Sequence, residues 1–379
     1  MAGPRRLLPV PAGPGPALYD ALRAALAGEG PALLPLPDDA AAVRRLLAAL
    51  RPDEPLEDEP DDPTALVVPT SGSTGEPKGV LLPAGALTAS ADAAVERLGG
   101  PGRWLLALPV THVGGLQVVL RALRAGAEPV VAAPAGFARA TAALLDGRRY
   151  TALVPTQLRR LLGRPDDCAA LATYDAVLLG GAATPLPLLQ QARDAGVRVV
   201  TTYGMSETSG GCVYDGVPLP GVGVDVEPGG RVRLSGPVVA RGYRLRPDLT
   251  GRAFFRGTFR TGDLGALTPD GRLVVSGRAD DVIVTGGEKV APAVVEAALA
   301  AHPAVADVAV VGAPDPEWGE RVVAVAVLRP GSRLELAEAR EHVAARVSRA
   351  AAPRELRVVA ALPLLPSGKP DRAALRSPG

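Results

Sequence analysis

Residues 70–79 read TSGSTGEPKG and hold three glycines, four hydroxyl side chains and one lysine, Lys78. This composition favours a loop that binds phosphate, because glycines let backbone N–H groups approach an anion while hydroxyls and lysine add donors and charge. The Walker A pattern requires glycine directly before the lysine, but Pro77 stands there. The apolar segment TALVVPT leads into the loop and is typical of a buried strand. It argues against a simple glycine-rich linker, which is the alternative.

Short apolar β-like runs alternate with Ala-, Leu- and Arg-rich helical patterns from this loop to about residue 220. Repeated strand–helix alternation predicts a mainly parallel α/β sheet. Further on, short strands with Gly-Gly and Asp-Gly turns predict hairpins, and hence a small β-rich part. A new α+β pattern follows GRADD at 277–281. We therefore expect a large α/β domain over residues 1–279 and a small mobile α+β domain over residues 280–379.

The overall composition is that of an ordinary globular enzyme. The 379 residues carry 41 Lys or Arg and 40 Asp or Glu, a net charge of +1, so no charge excess points to nucleic acid or an anionic membrane. The two cysteines, Cys168 and Cys212, lack metal-ligand spacing and fit a reducing cytosol. Prolines and glycines interrupt any N-terminal signal peptide, and no apolar run reaches the roughly 18 residues of a membrane helix. We expect a cytoplasmic protein.

The few lysines stand out among the basic residues. There are three, Lys78, Lys289 and Lys369, and each lies in a glycine-containing loop (GEPKG, GGEKV and SGKPD). Lysine is a compact point charge that a planar guanidinium does not replace at a tight phosphate or carboxylate site. In a chain that otherwise uses arginine, these positions indicate functional roles; three accidental surface lysines are the alternative.

Other clusters carry side chains suited to a nucleotide. TTYGMSET follows the apolar run VRVV and is expected at the carboxyl end of a strand, where open α/β sheets bind ligands. There Tyr203 suits a base, Ser206 a phosphate and Glu207 a Mg²⁺ ion. RTGDLG contributes Asp263 and GRADD contributes Arg278, a carboxylate and a guanidinium suited to ribose and phosphate. Alone, each of these residues is also compatible with an ordinary loop.

In this order and spacing, the motifs closely resemble the adenylate-forming family of acyl- and aryl-CoA synthetases, luciferases and peptide-synthetase adenylation domains. The resemblance covers nearly the whole chain from residue 64 onward. It implies that ATP and a carboxylic acid form an acyl-AMP with release of pyrophosphate, and that coenzyme A then takes the acyl group. It also implies Mg²⁺ as a cofactor and a small domain that turns about Asp280 between the two steps.

The resemblance assigns roles to individual residues. Lys369 matches the lysine needed for adenylation and Glu207 the magnesium ligand, while Ser206 replaces the family's usual threonine and keeps its hydroxyl. The loop brought to the thioester site contains Gly286, Gly287 and Lys289. The residues matched to nucleotide binding are Thr70, Ser71, Gly72, Ser73, Thr74, Gly75, Lys78, Gly180, Gly181, Ala182, Tyr203, Gly204, Ser206, Asp263 and Arg278.

The stretch LPVTHVGGL at 108–116 indicates the class of acid, because the resembled family lines its acyl pocket there. His112, one of three histidines, precedes two glycines there, which favours a catalytic or acid-binding role over a structural one. No Asp or Glu lies in this stretch, so amino acids are disfavoured, because their ammonium needs a buried carboxylate. HVGGL and YGMSETSGGCVYDGVPLPGV resemble, more narrowly, the actinobacterial-type o-succinylbenzoate–CoA ligases of menaquinone biosynthesis.

Such an acid would carry a second carboxylate that needs donors. Candidates are Thr156, Gln157, Arg159 and Ser209, although Arg159 and Arg160 also fit a solvated helix face. The family's large domain is usually longer at its N-terminus, so contacts to coenzyme A cannot be carried over.

Two other functions stay open from the sequence. One is an adenylation enzyme that loads a carrier protein, which would need a basic docking patch. The other is a nucleotide-binding protein without turnover, against which Glu207, Asp263, Arg278 and Lys369 argue. The partners expected are small molecules (acid, ATP and coenzyme A), with no nucleic acid or membrane and with a homodimer left open.

Overall fold

The computed structural model describes residues 5–56, 61–71, 77–133, 135–364 and 370–376. The strands there are β1 Leu7–Pro11, β2 Ala32–Leu36, β3 Thr64–Ser71, β4 Pro77–Pro83, β5 Arg103–Leu106, β6 Val130–Val131, β7 Arg149–Leu153, β8 Ala176–Leu179, β9 Val199–Met205, β10 Gly210–Tyr214, β11 Val217–Pro218, β12 Gly223–Val226, β13 Arg231–Ser235, β14 Gly242–Tyr243, β15 Phe254–Phe255, β16 Thr258–Leu267, β17 Leu273–Arg278, β18 Ile283–Thr285, β19 Glu288–Val290, β20 Val305–Asp315, β21 Gly319–Leu328 and β22 Glu355–Val358.

The helices of the described ranges pack on the sheets that these strands form. They are α1 Pro16–Leu26, α2 Ala40–Leu50, α3 Ala84–Arg97, α4 Val113–Arg124, α5 Phe137–Ala142, α6 Pro155–Leu162, α7 Pro165–Leu171, α8 Leu186–Asp194, α9 Pro247–Ala253, α10 Pro292–Ala300, α11 Leu336–Arg346 and α12 Arg372–Arg376. No helix in the part of the chain that the structure describes is long and apolar enough to cross a membrane.

The first sheet contains the two strands that flank the predicted phosphate loop. Its order is β1–β2–β3–β4–β14, parallel over the first three strands and antiparallel beyond them. TALVVPT forms β3, as predicted, and the loop connects β3 to β4 in a hairpin in which Thr70 faces Lys78. The loop is thus flanked by two paired strands, and β14 returns from far along the chain to pair with β4.

The second sheet confirms the predicted parallel architecture. Its order is β11–β10–β9–β8–β7–β5–β6, parallel from β9 to β6 and extended by two antiparallel strands. TTYGMSET lies at the carboxyl end of a strand, as expected, and β9 itself continues to Met205. Antiparallel pairing with β10, where Gly204 faces Gly211, keeps this segment extended. A Cβ on Gly204 would lie 2.2 Å from the Gly210 carbonyl oxygen, so this close pairing requires glycine.

The remaining two sheets are smaller. The third, β12–β13–β16–β15 with β17 on β16, contains the predicted hairpins β12–β13 and β16–β17. The fourth, β19–β18–β21–β20 with β22 on β21, is packed by α10 and forms the α+β unit expected at the C-terminus. The predicted mixed α/β fold class with a smaller α+β part is therefore confirmed.

The buried apolar clusters fall into two groups, one on each side of residue 280 in the sequence. Each cluster among the described residues draws its buried members either from residue 273 and below or from residue 283 and above. The predicted boundary near Asp280 falls between the two groups, in a 3₁₀ turn at Ala279–Asp281. The domain limits of 1–279 and 280–379 stay a prediction that agrees with this division.

Candidate active site

Three residues predicted from separate motifs meet between the second and third sheets. The Tyr203 hydroxyl donates to Asp263 Oδ2 at 2.8 Å. Asp263 faces Arg278 across β16 and β17, and Arg278 Nη1 lies 3.5 Å from Asp263 Oδ1. A Cβ on Gly262 would lie 2.6 Å from Arg278 Nη2, so glycine makes room for the guanidinium. Burial, and then the Asp263 charge, raise the pKa of Tyr203, which keeps the phenol a neutral donor.

A second group joins Glu207 to the phosphate loop through Tyr243, which the sequence analysis did not single out. The Tyr243 hydroxyl donates to Glu207 Oε1 at 2.8 Å. Lys78 Nζ lies 5.4 Å from the centroid of the same ring. Burial, and then the Glu207 charge, raise the pKa of Tyr243, so this hydroxyl also stays protonated at neutral pH. The motif residues Lys78 and Glu207 therefore both contact the phenol ring or hydroxyl of Tyr243.

Glu207 has the chemistry of a magnesium ligand. Mg²⁺ is a hard ion that proteins commonly hold through one or two carboxylates together with substrate phosphates and water. Within the described ranges no group of three or more His, Cys, Asp or Glu could hold a metal on its own. A single carboxylate near the phosphate loop fits an ion that would arrive with a nucleotide.

The phosphate loop is described only at its two ends. The Thr70 hydroxyl donates to the Lys78 carbonyl at 3.4 Å across the base of the hairpin. The other predicted residues, namely the Ser71 side chain, Gly72, Ser73, Thr74 and Gly75, lie outside the described residues, as does Lys369.

The predicted nucleotide-binding residues Gly180, Gly181 and Ala182 directly follow β8 at the carboxyl edge of the parallel sheet, where a ligand site was expected. A Cβ on Gly180 would lie 2.3 Å from Thr202 Oγ1, so glycine permits close packing on β9. Gly181 adopts a φ of +82°, a left-handed conformation that glycine tolerates. Ala182 is exposed, and Ser206 is half-buried at the start of the 3₁₀ turn Ser206–Thr208.

His112 occupies the residue before α4 and is exposed. Its Nδ1 lies 3.3 Å from the Thr111 hydroxyl, which leaves Nε2 directed away from that contact. The glycines after it have a packing reason, because a Cβ on Gly115 would lie 2.2 Å from the Pro109 carbonyl oxygen. HVGGL thus combines an exposed imidazole with a closely packed glycine in the first turn of α4.

A cavity of about 380 Å³ adjoins this segment. It opens at the carboxyl ends of β5, β6 and β7, and its wall is mainly apolar. Leu108, Pro109 and Val110 line it, together with the polar Gln157 and Arg160. The segment that was predicted to line the acyl pocket therefore borders a cavity.

Three of the four expected donors for a second carboxylate have other partners. Ser209 is fully buried and its hydroxyl donates to the Val238 carbonyl at 2.9 Å. The Gln157 amide donates to the Ala107 carbonyl at 2.8 Å and accepts from the Val154 N–H at 3.0 Å.

The third, Arg159, pairs with Asp307 at 2.7 Å, while Arg160 is exposed, as expected of a solvated helix face. The fourth, Thr156, is half-buried in the first turn of α6. Ser209, Gln157 and Arg159 thus have tertiary partners that the sequence does not reveal, and their contact with an acid stays a prediction.

A different cation lies inside the large domain. Arg121 on α4 is 3% exposed, and no carboxylate among the described residues lies within 4 Å of its guanidinium. Its Nη2 donates to the Tyr214 hydroxyl at 3.3 Å, and its Cζ lies 5.3 Å from the Trp104 ring centroid. Arg121 Nε, Trp104 Nε1 and Gln117 Oε1 are buried without hydrogen-bond partners. Gln117 and Arg121, four residues apart in an otherwise apolar stretch, were the available sequence signal.

The remaining predicted residues lie on the C-terminal side. Gly286 and Gly287 form the turn of the β18–β19 hairpin with φ of +57° and +81°, and Lys289 is exposed on β19. A Cβ on Gly286 would lie 2.7 Å from the Trp318 ring, so the turn packs tightly at its base. Asp280 is exposed, with Oδ2 3.5 Å from Arg278 Nη2.

Family comparisons agree with this arrangement. The profile of the AMP-binding enzyme family matches residues 24–244, and that of the AMP-binding enzyme C-terminal domain matches residues 294–369. The chain belongs to the AMP-binding enzyme family, which confirms the resemblance to adenylate-forming enzymes.

Comparison with individual relatives is more specific than the match to the family profiles. The chain is 51% identical over 382 residues to the probable 2-succinylbenzoate–CoA ligase of Mycobacterium tuberculosis (strain H37Rv), covering 98% of this chain and 97% of the relative. A solved o-succinylbenzoate CoA synthetase from Bacillus subtilis, in complex with its acyl-adenylate intermediate, matches with a TM-score of 0.76 and 28% identity over 96% of this chain and 81% of that one. The amide bond synthetase McbA from Marinactinospora thermotolerans matches with a TM-score of 0.78 and 25% identity over 99% and 90%.

Proposed function

We propose that this protein is an ATP-dependent acid–CoA ligase that activates o-succinylbenzoate, an aromatic acid with two carboxylates, in the cytoplasm. The full-length similarity to the mycobacterial ligase supports this substrate class. That similarity, which extends over nearly the full length of both chains, is the observation that carries the choice of a dicarboxylate.

The cavity beside HVGGL supports an acid of this kind. Its mainly apolar wall suits an aromatic ring, and Gln157 and Arg160 line it as polar residues. Arg121 does not line it, since it follows Val113 by eight residues, about 12 Å along α4. We infer that one carboxylate is activated and that the other faces the polar residues of the cavity.

The residues of the nucleotide side would act by positioning and charge. Tyr203, Asp263 and Arg278 would hold the ribose, and Lys78 the phosphates. Glu207 would hold Mg²⁺, which when bound neutralises charge on the phosphates. A carboxylate oxygen of the acid would attack the α-phosphorus and displace pyrophosphate, a reaction that positioning and preorganised charge accelerate.

The second half-reaction would use the small domain. Rotation about Asp280 would withdraw Lys369 and bring the hairpin with Gly286, Gly287 and Lys289 to the acyl-adenylate. The thiol of coenzyme A would then attack the acyl carbon, forming the thioester as AMP leaves. The fold is shared with an amide bond synthetase, so an amine is one alternative acceptor. The thiol of a carrier protein, left open from the sequence, is the other.

The test is pyrophosphate release with ATP and Mg²⁺ across a panel of acids, with and without coenzyme A. The panel contains o-succinylbenzoate, benzoate, a medium-chain fatty acid and several amino acids. We expect release with o-succinylbenzoate and a coenzyme A thioester by mass spectrometry. Release with another acid alone would overturn the substrate. A product only with an amine or a phosphopantetheinylated carrier protein in place of coenzyme A would overturn the acceptor.

A further inference from the structure

We propose that Tyr243 is a positioning residue that holds Glu207 and Lys78 in one fixed arrangement for a magnesium–nucleotide complex. This inference rests on the proposed function, because it concerns the same nucleotide site. The two residues come from distant motifs, and the phenol is the described side chain that contacts both.

Each contact constrains a different group. A phenol has one hydrogen to donate, and Tyr243 gives it to Glu207 Oε1 at 2.8 Å. This fixes the rotation of the carboxylate and leaves Oε2 as the oxygen for a metal. Lys78 Nζ, 5.4 Å from the ring centroid, lies within the range of a cation–π attraction. The Tyr243 side chain therefore orients both the Glu207 carboxylate and the Lys78 ammonium group.

The phenol itself has little freedom. Tyr243 is 8% exposed, and its backbone pairs with Val80 of β4, two residues from Lys78. Its N–H donates to the Thr250 hydroxyl at 2.9 Å. Its ring meets Phe254 edge-on, with centroids 5.3 Å apart and an interplanar angle of 73°. A side chain held from its backbone, its ring edge and its hydroxyl can transmit its position to its partners.

The two-residue strand β14 places Tyr243 beside both residues, because it pairs with β4 next to Lys78. Hydrogen-bonded partners of a metal ligand orient it, and their loss commonly lowers metal affinity or activity about 10-fold to 100-fold. Tyr243 would have that role toward Glu207. It would also keep Lys78 near the phosphates before the nucleotide binds, so less ordering would be needed on binding.

Two substitutions separate the two contacts. Tyr243→Phe removes the hydroxyl and keeps the ring, whereas Tyr243→Leu removes both. The measurement is calorimetric titration with ATP, in Mg²⁺ and in EDTA, without any acid. We expect Tyr243→Phe to weaken ATP binding in Mg²⁺ about 10-fold or more and to leave binding in EDTA unchanged. Tyr243→Leu should weaken both.

The matched control is Tyr174→Phe. It removes a buried hydroxyl that bonds Thr141 at 2.8 Å in another apolar cluster of the large domain, and it should change neither titration. A double-mutant cycle with Glu207→Gln gives a second measurement. Because Tyr243 would act through Glu207, adding Tyr243→Phe to Glu207→Gln should cause little further loss in Mg²⁺. Raising Mg²⁺ should also restore pyrophosphate release by the Phe variant.

The outcomes are distinct. If wild-type protein does not bind ATP, the proposed function fails and this inference fails with it. If wild type binds and Tyr243→Phe binds equally well in Mg²⁺, the positioning role alone is overturned. Equal losses in Mg²⁺ and EDTA, or additive losses in the cycle, would likewise overturn it. Should Tyr243→Leu fail to fold, the Phe variant and the cycle still decide.

Discussion

Arg159 Nη1 lies 2.7 Å from Asp307 Oδ2, so an ion pair joins α6 of the proposed large domain to β20 of the proposed small one. The two side chains are 39% and 30% exposed, and a pair this exposed contributes only about 0–1 kcal/mol to stability. Its position matters more than its strength, because a rotation of the small domain would have to break it.

Breaking this pair should change the balance of the half-reactions. We expect Arg159→Ala and Asp307→Asn to alter the ratio of adenylation to thioester formation in the same direction, and to leave the KM of the acid unchanged. Separate assays of pyrophosphate release and of thioester formation from supplied acyl-AMP would measure this. A raised KM for the acid in Arg159→Ala but not in Asp307→Asn would instead make Arg159 an acid contact.

The two glycines after His112 should differ in their tolerance of a methyl group. Gly115→Ala would place Cβ 2.2 Å from the Pro109 carbonyl oxygen, a backbone atom that cannot easily move. We expect it to lower the free energy of unfolding by about 1–3 kcal/mol, the usual cost of overpacking. Gly114→Ala would meet only the flexible end of Leu108, at 3.2 Å, and should cost less. Denaturant unfolding measures both, and equal stabilities would contradict the packing argument.

Lys369, which lies outside the described residues, should be needed for one half-reaction only. Lys369→Ala should abolish acyl-AMP formation, because a positive charge between the carboxylate and the α-phosphate would be lost. Thioester formation from supplied acyl-AMP should fall much less. An equal loss in both half-reactions would be incompatible with a domain rotation that withdraws this lysine.

Local patterns predicted the elements well where periodicity and turn residues agree. The apolar segment TALVVPT matches β3, Thr64–Ser71, and the Gly-Gly turn predicts the β12–β13 hairpin. The last residues of β9, up to Met205, are stabilised by pairing with β10, which leaves no periodic signal in TTYGMSET.

The candidate site was predicted only in part for a similar reason. Tyr203, Asp263 and Arg278 were found because each lies in a recognisable motif, and the fold brings them together. Tyr243 was missed because its importance depends on a partner distant in sequence. It contacts Glu207 over 36 residues.

The short strand β14 has a consequence for how this protein is made. β4 pairs with β14 on one edge, yet Tyr243 leaves the ribosome about 160 residues after its partner Val80. Until then, β4 is an edge strand without its partner β14, and such an edge is a template for wrong pairing. The nucleotide side cannot assemble while the chain is shorter than this. Slowed translation between β4 and β14 should therefore prolong a chaperone-dependent state.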